Sequence, residues 1–154
     1  MTIIRVGGAD KNFIELVAEL DKELAVVDGE DHGFYNQYNK VDLIRHVVLA
    51  VSNGEAVACG AIKEFDPDTA EIKRMYTKPL FRSKGLASIV LRELEKWCSE
   101  LGYLSCILET GKRQPDAIRL YQKNGYQQIP NYGQYAGVEN SVCFSKALDK
   151  SAVV

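Results

Sequence analysis

Four consecutive residues, Arg82-Ser83-Lys84-Gly85, join a strand-like run to a helix-like one, and that arrangement can hold an anion. The run Ala70–Tyr76 precedes them, and an amphipathic stretch from Leu86 to Leu101 follows. The first N–H groups of a helix have no partner inside it, and the helix dipole places partial positive charge at the same end. Arg82 and Lys84 add side-chain charge there, and Lys112 and Arg113 are further candidates for a local basic site. Gly85 lets a backbone approach a ligand closely. The chemistry this suits is pyrophosphate binding. Neither the phosphate-loop pattern Gly-x-x-x-x-Gly-Lys-Ser/Thr nor the dinucleotide pattern Gly-x-Gly-x-x-Gly occurs in the chain.

The elements that must position this loop follow from periodicity. Thr2–Val6 reads as a strand. Phe13, Leu16, Val17, Leu20 and Leu24 fall at helical spacing, which predicts an amphipathic helix over Lys11–Val27. Asp28–Lys40 is polar and aromatic and reads as loop or short helix. His46–Val51 and Ala56–Glu64 are β-rich and meet at Asn53-Gly54, a hairpin signal. Asp66-Pro67-Asp68 turns the chain into a third strand over Ala70–Thr77, which Pro79 ends. The next helix carries Leu86, Val90, Leu94, Trp97 and Leu101 on one face, with Gly102 as its C-terminal cap. Leu104–Leu108 is a strand, Pro115–Lys123 a helix stopped by Asn124-Gly125, and Tyr126–Ile129 and Ser141–Ala147 are closing strands. The order is that of an α/β (α+β) mixture, an antiparallel meander feeding a strand–helix–strand unit.

At 154 residues the chain has the length of one domain, 1–154, with no repeat, low-complexity tract or linker. A formal net charge of −2 argues against a nucleic-acid partner. No apolar run approaches the ~18–20 residues of a membrane span, and the N-terminus does not read as a signal peptide. Cys59, Cys98, Cys106 and Cys143 lie far apart among apolar neighbours, as buried reduced thiols of a cytoplasmic protein would. With two histidines in the chain, His32 and His46, no metal site is expected, and both read as structural.

Residues 82–87, Arg-x-x-Gly-x-Ala, satisfy the loop pattern Gln/Arg-x-x-Gly-x-Gly/Ala of the GNAT superfamily of acetyl-CoA-dependent N-acetyltransferases, and the chain resembles that family. Glu71-Ile72-Lys73-Arg74-Met75-Tyr76 is similar to its fourth strand, and Leu108-Glu109-Thr110-Gly111 to the fifth strand and its exit. Ala117-Ile118-x-Leu120-Tyr121-x-x-Asn124-Gly125-Tyr126 is similar to the following helix and turn. Together these cover about Ala70–Tyr126. Ser83 stands where many members have glycine. The resemblance implies a mixed, mostly antiparallel sheet of six to seven strands, flanked by about four helices and splayed between the fourth and fifth strands.

The resemblance also implies a reaction, acetyl transfer from acetyl-CoA to a primary amine by direct attack in a ternary complex, with no metal. The amine must lose a proton, the tetrahedral oxyanion must be stabilised, and the departing thiolate must be protonated. Glu71, eleven residues before Arg82, matches the strand glutamate that some members use as base, directly or through water; a solvated carboxylate paired with Lys73 or Arg74 is the other reading. On a regular strand Glu71, Lys73 and Met75 share one face and Ile72, Arg74 and Tyr76 the other. Tyr121 matches the tyrosine that many members place near the CoA sulfur, as acid; a core aromatic is the alternative. Ser83, Lys84, Gly85, Leu86 and Ala87, with Arg82, would hold the pyrophosphate. Backbone atoms of Met75 and Tyr76 would meet the pantetheine or the oxyanion, and Gln114 the pantetheine; an ordinary helix-start role is the other reading of Gln114.

For the acceptor, the loops in the corresponding places offer Phe34, Tyr35, Tyr38, Asn131, Tyr132 and Tyr135. Phe34, Tyr35, Tyr132 and Tyr135 are the candidates for substrate contact, with packing at the edge of the core as the alternative. Asp28, Glu30 and Asp31 read as a solvated acidic turn, with attraction of a cationic amine as the alternative. The expected acceptor is a small-molecule amine; a protein or peptide acceptor and a non-catalytic CoA-binding module are the alternatives. The sequence leaves a homodimer open.

Overall fold

A computed structural model describes residues 1–29 and 44–148. Seven strands and three α-helices are present among the described residues. In chain order they are β1 (Thr2–Val6), α1 (Lys11–Asp28), β2 (His46–Ser52), β3 (Glu55–Asp66), β4 (Thr69–Thr77), α2 (Leu86–Glu100), β5 (Ser105–Gly111), α3 (Pro115–Lys123), β6 (Gln127–Ile129) and β7 (Ser141–Ala147). Single 3₁₀ turns lie at Pro79–Phe81 and Gly133–Tyr135. The expected strands are all present, and the described residues hold three of the about four helices expected.

The sheet order is β1-β2-β3-β4-β5-β7-β6. Every pair is antiparallel except β4–β5, which is parallel. The β2–β3 hairpin turns through Asn53 (φ 50°) and Gly54 (φ 81°), both left-handed as a two-residue primed turn requires. Asp10 caps α1, its side chain accepting from the Phe13 N–H at 3.0 Å. Gly102 (φ 96°) closes α2, where its N–H reaches Ser99 O at 3.1 Å and that of Tyr103 reaches Cys98 O at 3.0 Å.

The sheet buries both faces. Phe13, Leu16 and Leu20 of α1 pack on Val47, Leu49 and Tyr76. On the opposite face Val90, Leu91 and Leu94 of α2, with Tyr121 of α3, pack on Val48, Ile72 and Phe144. The buried stripe of α2 includes Leu91 and Cys98, while Leu101, predicted on that face, is exposed beyond the last helical turn. All four cysteines are buried and unbridged. His46 packs edge-on to Trp97 at 4.8 Å and is a packing residue.

Two irregularities open the sheet. Pairing between β4 and β5 covers Thr69–Ser105, Ala70–Cys106 and Glu71–Ile107 and ends there, so the strands splay beyond Glu71. On its other side β4 shifts register: Cys59 faces Tyr76 but Ala61 faces Lys73, which leaves one extra residue in β4. That residue is at Arg74, whose φ is 58°. The bulge corrects the regular alternation predicted for this strand. Met75 packs with Ile72 against α2, and Tyr76 moves to the α1 face. No described helix is long and apolar enough to cross a membrane.

Candidate active site

The splay opens into a cleft of about 670 Å³, within the size range of ligand pockets. One end is the loop before α2. Ser83 (φ 63°) and Gly85 (φ 81°) are both left-handed, and alternation of this kind turns successive N–H groups to one side. The first helical bond of α2 runs from Ile89 N to Gly85 O, so the Leu86, Ala87 and Ser88 N–H groups precede the helix ladder. A Cβ built on Gly85 meets nothing within 4 Å; the left-handed φ is what calls for glycine there. Arg82 donates to Thr77 O at 2.8 Å and to Glu23 of α1 at 2.8 Å, and its guanidinium lies 5.6 Å from the Tyr76 ring centre. Lys84 sits 5.5 Å from the Phe81 ring centre. The loop is thus held in shape by its own basic residues.

The middle of the cleft carries Met75, Gln114 and Tyr121. Gln114 precedes the first turn of α3 and its side chain makes no cap hydrogen bond. Tyr121 is 6% exposed, packs at 5.8 Å on Tyr126 and at 6.2 Å on Phe144, and still lines the cleft. Burial, with a smaller push from the Glu109 charge, raises the Tyr121 hydroxyl above its ordinary range and keeps it protonated.

The inner end holds the titratable groups. Glu71 is buried, and the Tyr132 hydroxyl donates to its carboxylate at 2.6 Å. Burial and this carboxylate both raise the Tyr132 hydroxyl. Tyr132 lies between Phe65 at 5.3 Å and Tyr135 at 5.7 Å, and Tyr135 reaches the cleft wall. Tyr132 and Tyr135 thus stand beside Glu71, Tyr132 by its hydrogen bond and Tyr135 by its packing on Tyr132. Phe34, Tyr35 and Tyr38 lie outside the described residues, as do His32, Glu30 and Asp31. Asp28 corrects the picture of a solvated acidic turn: it is buried and lines the cleft. Lys73 is buried beside Glu71, and desolvation lowers its ammonium despite that neighbour.

Glu109 of β5 was not singled out by sequence reasoning. It lines the cleft, partly buried, and accepts from the Ser141 hydroxyl at 2.7 Å. Burial pushes its carboxyl up to about 7, reinforced by the charges of Asp28 and Glu71 and opposed by Ser141 and Lys73. β5 runs three residues beyond the predicted Leu108 end, and a carboxylate inside a β-rich run was the available signal. Among the described residues no cluster of three or more His, Cys, Asp or Glu has the arrangement of a metal site.

Residues 14–126 match the model of the acetyltransferase (GNAT) family. An IAA acetyltransferase of Azospirillum brasilense is 27% identical over 150 residues, 96% of this chain and 98% of that protein. A spermidine N(1)-acetyltransferase of Thermoplasma acidophilum is 27% identical over 101 residues, 59% of this chain and 63% of that protein. A crystal structure from Klebsiella pneumoniae, described as a candidate acyl-CoA N-acyltransferase, superposes with a TM-score of 0.80 at 32% identity, covering 96% of this chain and 97% of the other. With an Arg-x-x-Gly-x-Ala loop at one end of a splayed sheet and carboxylates at the other, the chain belongs to the GNAT family and is an acetyltransferase of that type.

Proposed function

We propose that the chain moves the acetyl group of acetyl-CoA to the primary amine of a small molecule, by direct attack within a ternary complex. The observation that carries the small acceptor is the wall at the Glu71 end, where Tyr132, buttressed by Phe65 and Tyr135, closes on Glu71 at 2.6 Å. A protein acceptor calls for an open groove. The names of the two relatives above, which carry IAA and spermidine, favour the same reading.

In this reading Arg82 to Ala87 hold the CoA pyrophosphate and Gln114 meets the pantetheine arm. A backbone N–H at Met75 or Tyr76 meets the oxyanion. A protonated primary amine loses two protons on becoming an amide; one ends on the CoA sulfur and the other leaves for solvent. Glu71 takes the first, directly or through water. After nitrogen attacks the thioester carbon, Tyr121 protonates the sulfur as the carbon–sulfur bond breaks. Glu109, which lines the same cleft as Tyr121, takes the second proton and restores the tyrosine through water.

Thiol release from acetyl-CoA, followed across a panel of amino acids, polyamines and other small amines and across a mixed peptide substrate, tests this. Turnover with a small amine is expected. Acetylated peptides with no small-amine turnover would refute the small acceptor.

A further inference from the structure

Arg74 is held in a costly state. It is the left-handed non-glycine residue inside a described strand; the other two, Asn53 and Ser83, lie in a hairpin turn and a loop. That conformation costs an L-residue with a Cβ a destabilising steric contact. Its side chain is 4% exposed, and its buried Nε has no hydrogen-bond partner, a state that natural structures rarely leave unexplained. Glycine at this position would remove both penalties.

Two contacts keep the residue in place. Its Nη1 donates to Asp21 Oδ1 of α1 at 2.7 Å. The buried Cys59 thiol of β3 donates to its carbonyl oxygen at 3.3 Å. The neighbouring ion pairs of α1 have much more exposed cations: Lys78 with Glu19 at 3.7 Å, and Arg82 with Glu23 at 2.8 Å. Asp21 therefore secures a single buried guanidinium at the point where β4 leaves its register.

That point lies on the stretch of β4 that lines the cleft. β4–β5 pairing ends at Glu71, so the backbone beyond it is not laddered to β5, and the bulge reverses the side-chain alternation just before Met75 and Tyr76. Strain retained at such a place is a signature of function rather than of packing alone.

We propose that Arg74, clamped by Asp21, is a positioning residue for acetyl transfer: it pins the β4 bulge so that the Met75–Tyr76 backbone presents an N–H to the thioester oxygen. The inference rests on the acetyl-transfer reading and adds to it a device carried by the Arg74–Asp21 pair.

The test uses Arg74→Gly, which removes strain and clamp together, and Asp21→Asn, which removes the charge from a partly exposed helix residue with little change of shape. Both are expected to lower kcat at least tenfold while KM for acetyl-CoA stays within about threefold. A role confined to stability would not produce that split. The carbonyl stretch of bound acetyl-CoA, read by infrared difference spectroscopy without acceptor, should lie lower in the wild type than in either variant. A kcat within twofold of wild type in both variants overturns the proposal, as does an unchanged carbonyl band. If Arg74→Gly fails to fold, Asp21→Asn decides alone. A wild type that shifts the carbonyl but acetylates no amine would refute the acetyl-transfer reading and leave the clamp supported.

Discussion

Replacing Glu109 by Gln should make the protein more stable in a pH-dependent way. Burial near Asp28 and Glu71 raises the Glu109 carboxyl from an ordinary 4.5 to about 7. In the unfolded chain the group ionises around its ordinary value. Between those two values the folded protein therefore binds the extra proton, and stability falls as pH rises. Below the lower value both states are protonated and the group contributes nothing; above the upper one the folded state bears the full cost of a partly buried charge. The rise corresponds to roughly 3 kcal/mol at about 1.4 kcal/mol per pH unit, and solvent relaxation around a partly exposed group reduces it to about 1–3 kcal/mol. Glutamine keeps an oxygen for the Ser141 hydroxyl and carries no charge. Urea denaturation of both proteins at pH 5 and pH 8 measures the effect. The wild type should lose about 1–3 kcal/mol more than Glu109→Gln between the two conditions. Parallel behaviour within about 0.5 kcal/mol would show that Glu109 does not titrate in this window and would remove the reason for giving it a proton to carry.

Further outcomes follow from the same geometry. Tyr121→Phe should lower kcat by about tenfold or more and leave acetyl-CoA affinity nearly unchanged, as steady-state kinetics with a binding titration will show; an unaltered kcat would eliminate the acid role. Gly85→Ala meets no steric obstacle but must hold a left-handed φ of 81°. It should cost roughly 1 kcal/mol in stability and raise KM for acetyl-CoA by about tenfold, whereas an unchanged KM would separate this loop from the cofactor. Glu23→Gln releases the partly exposed Arg82 guanidinium. Calorimetry at low salt should then find CoA bound about two- to fivefold more tightly, in keeping with a pair worth at most about 1 kcal/mol. Weaker binding would mean that Glu23 holds Arg82 in its productive place.

The elements were legible because they rest on local signals. Asn53-Gly54 dictates its hairpin through two left-handed residues, Pro115 and Asn124-Gly125 bracket α3, and Gly102 ends α2. The Arg82–Gly85 loop was legible for the same reason. What stayed hidden depends on contacts distant in sequence. The bulge at Arg74 follows from a register shift against β3 and an ion pair 53 residues away, and nothing in Glu71–Tyr76 marks it. Glu109 acquires its character from burial first and then from Asp28, Glu71, Lys73 and Ser141, which only the fold brings together. Asp28 looked solvated because its neighbours in sequence are acidic, yet it ends α1 at the cleft. The tyrosine-rich segment before β7 was legible as a cluster, but the hydrogen bond of Tyr132 to Glu71 is a tertiary fact that no local signal marks.

The central claim is acetyl transfer to nitrogen within this cleft. Acetyl-CoA labelled with carbon-13 in its acetyl carbonyl, incubated with the protein and each amine of the panel, tests it most directly. Mass spectrometry and carbon NMR of the products should find the label as an amide on at least one small amine, in a yield that collapses in Glu71→Gln and Tyr121→Phe. Label remaining in acetyl-CoA or appearing only as free acetate with every amine, from protein shown to bind CoA, would contradict the account.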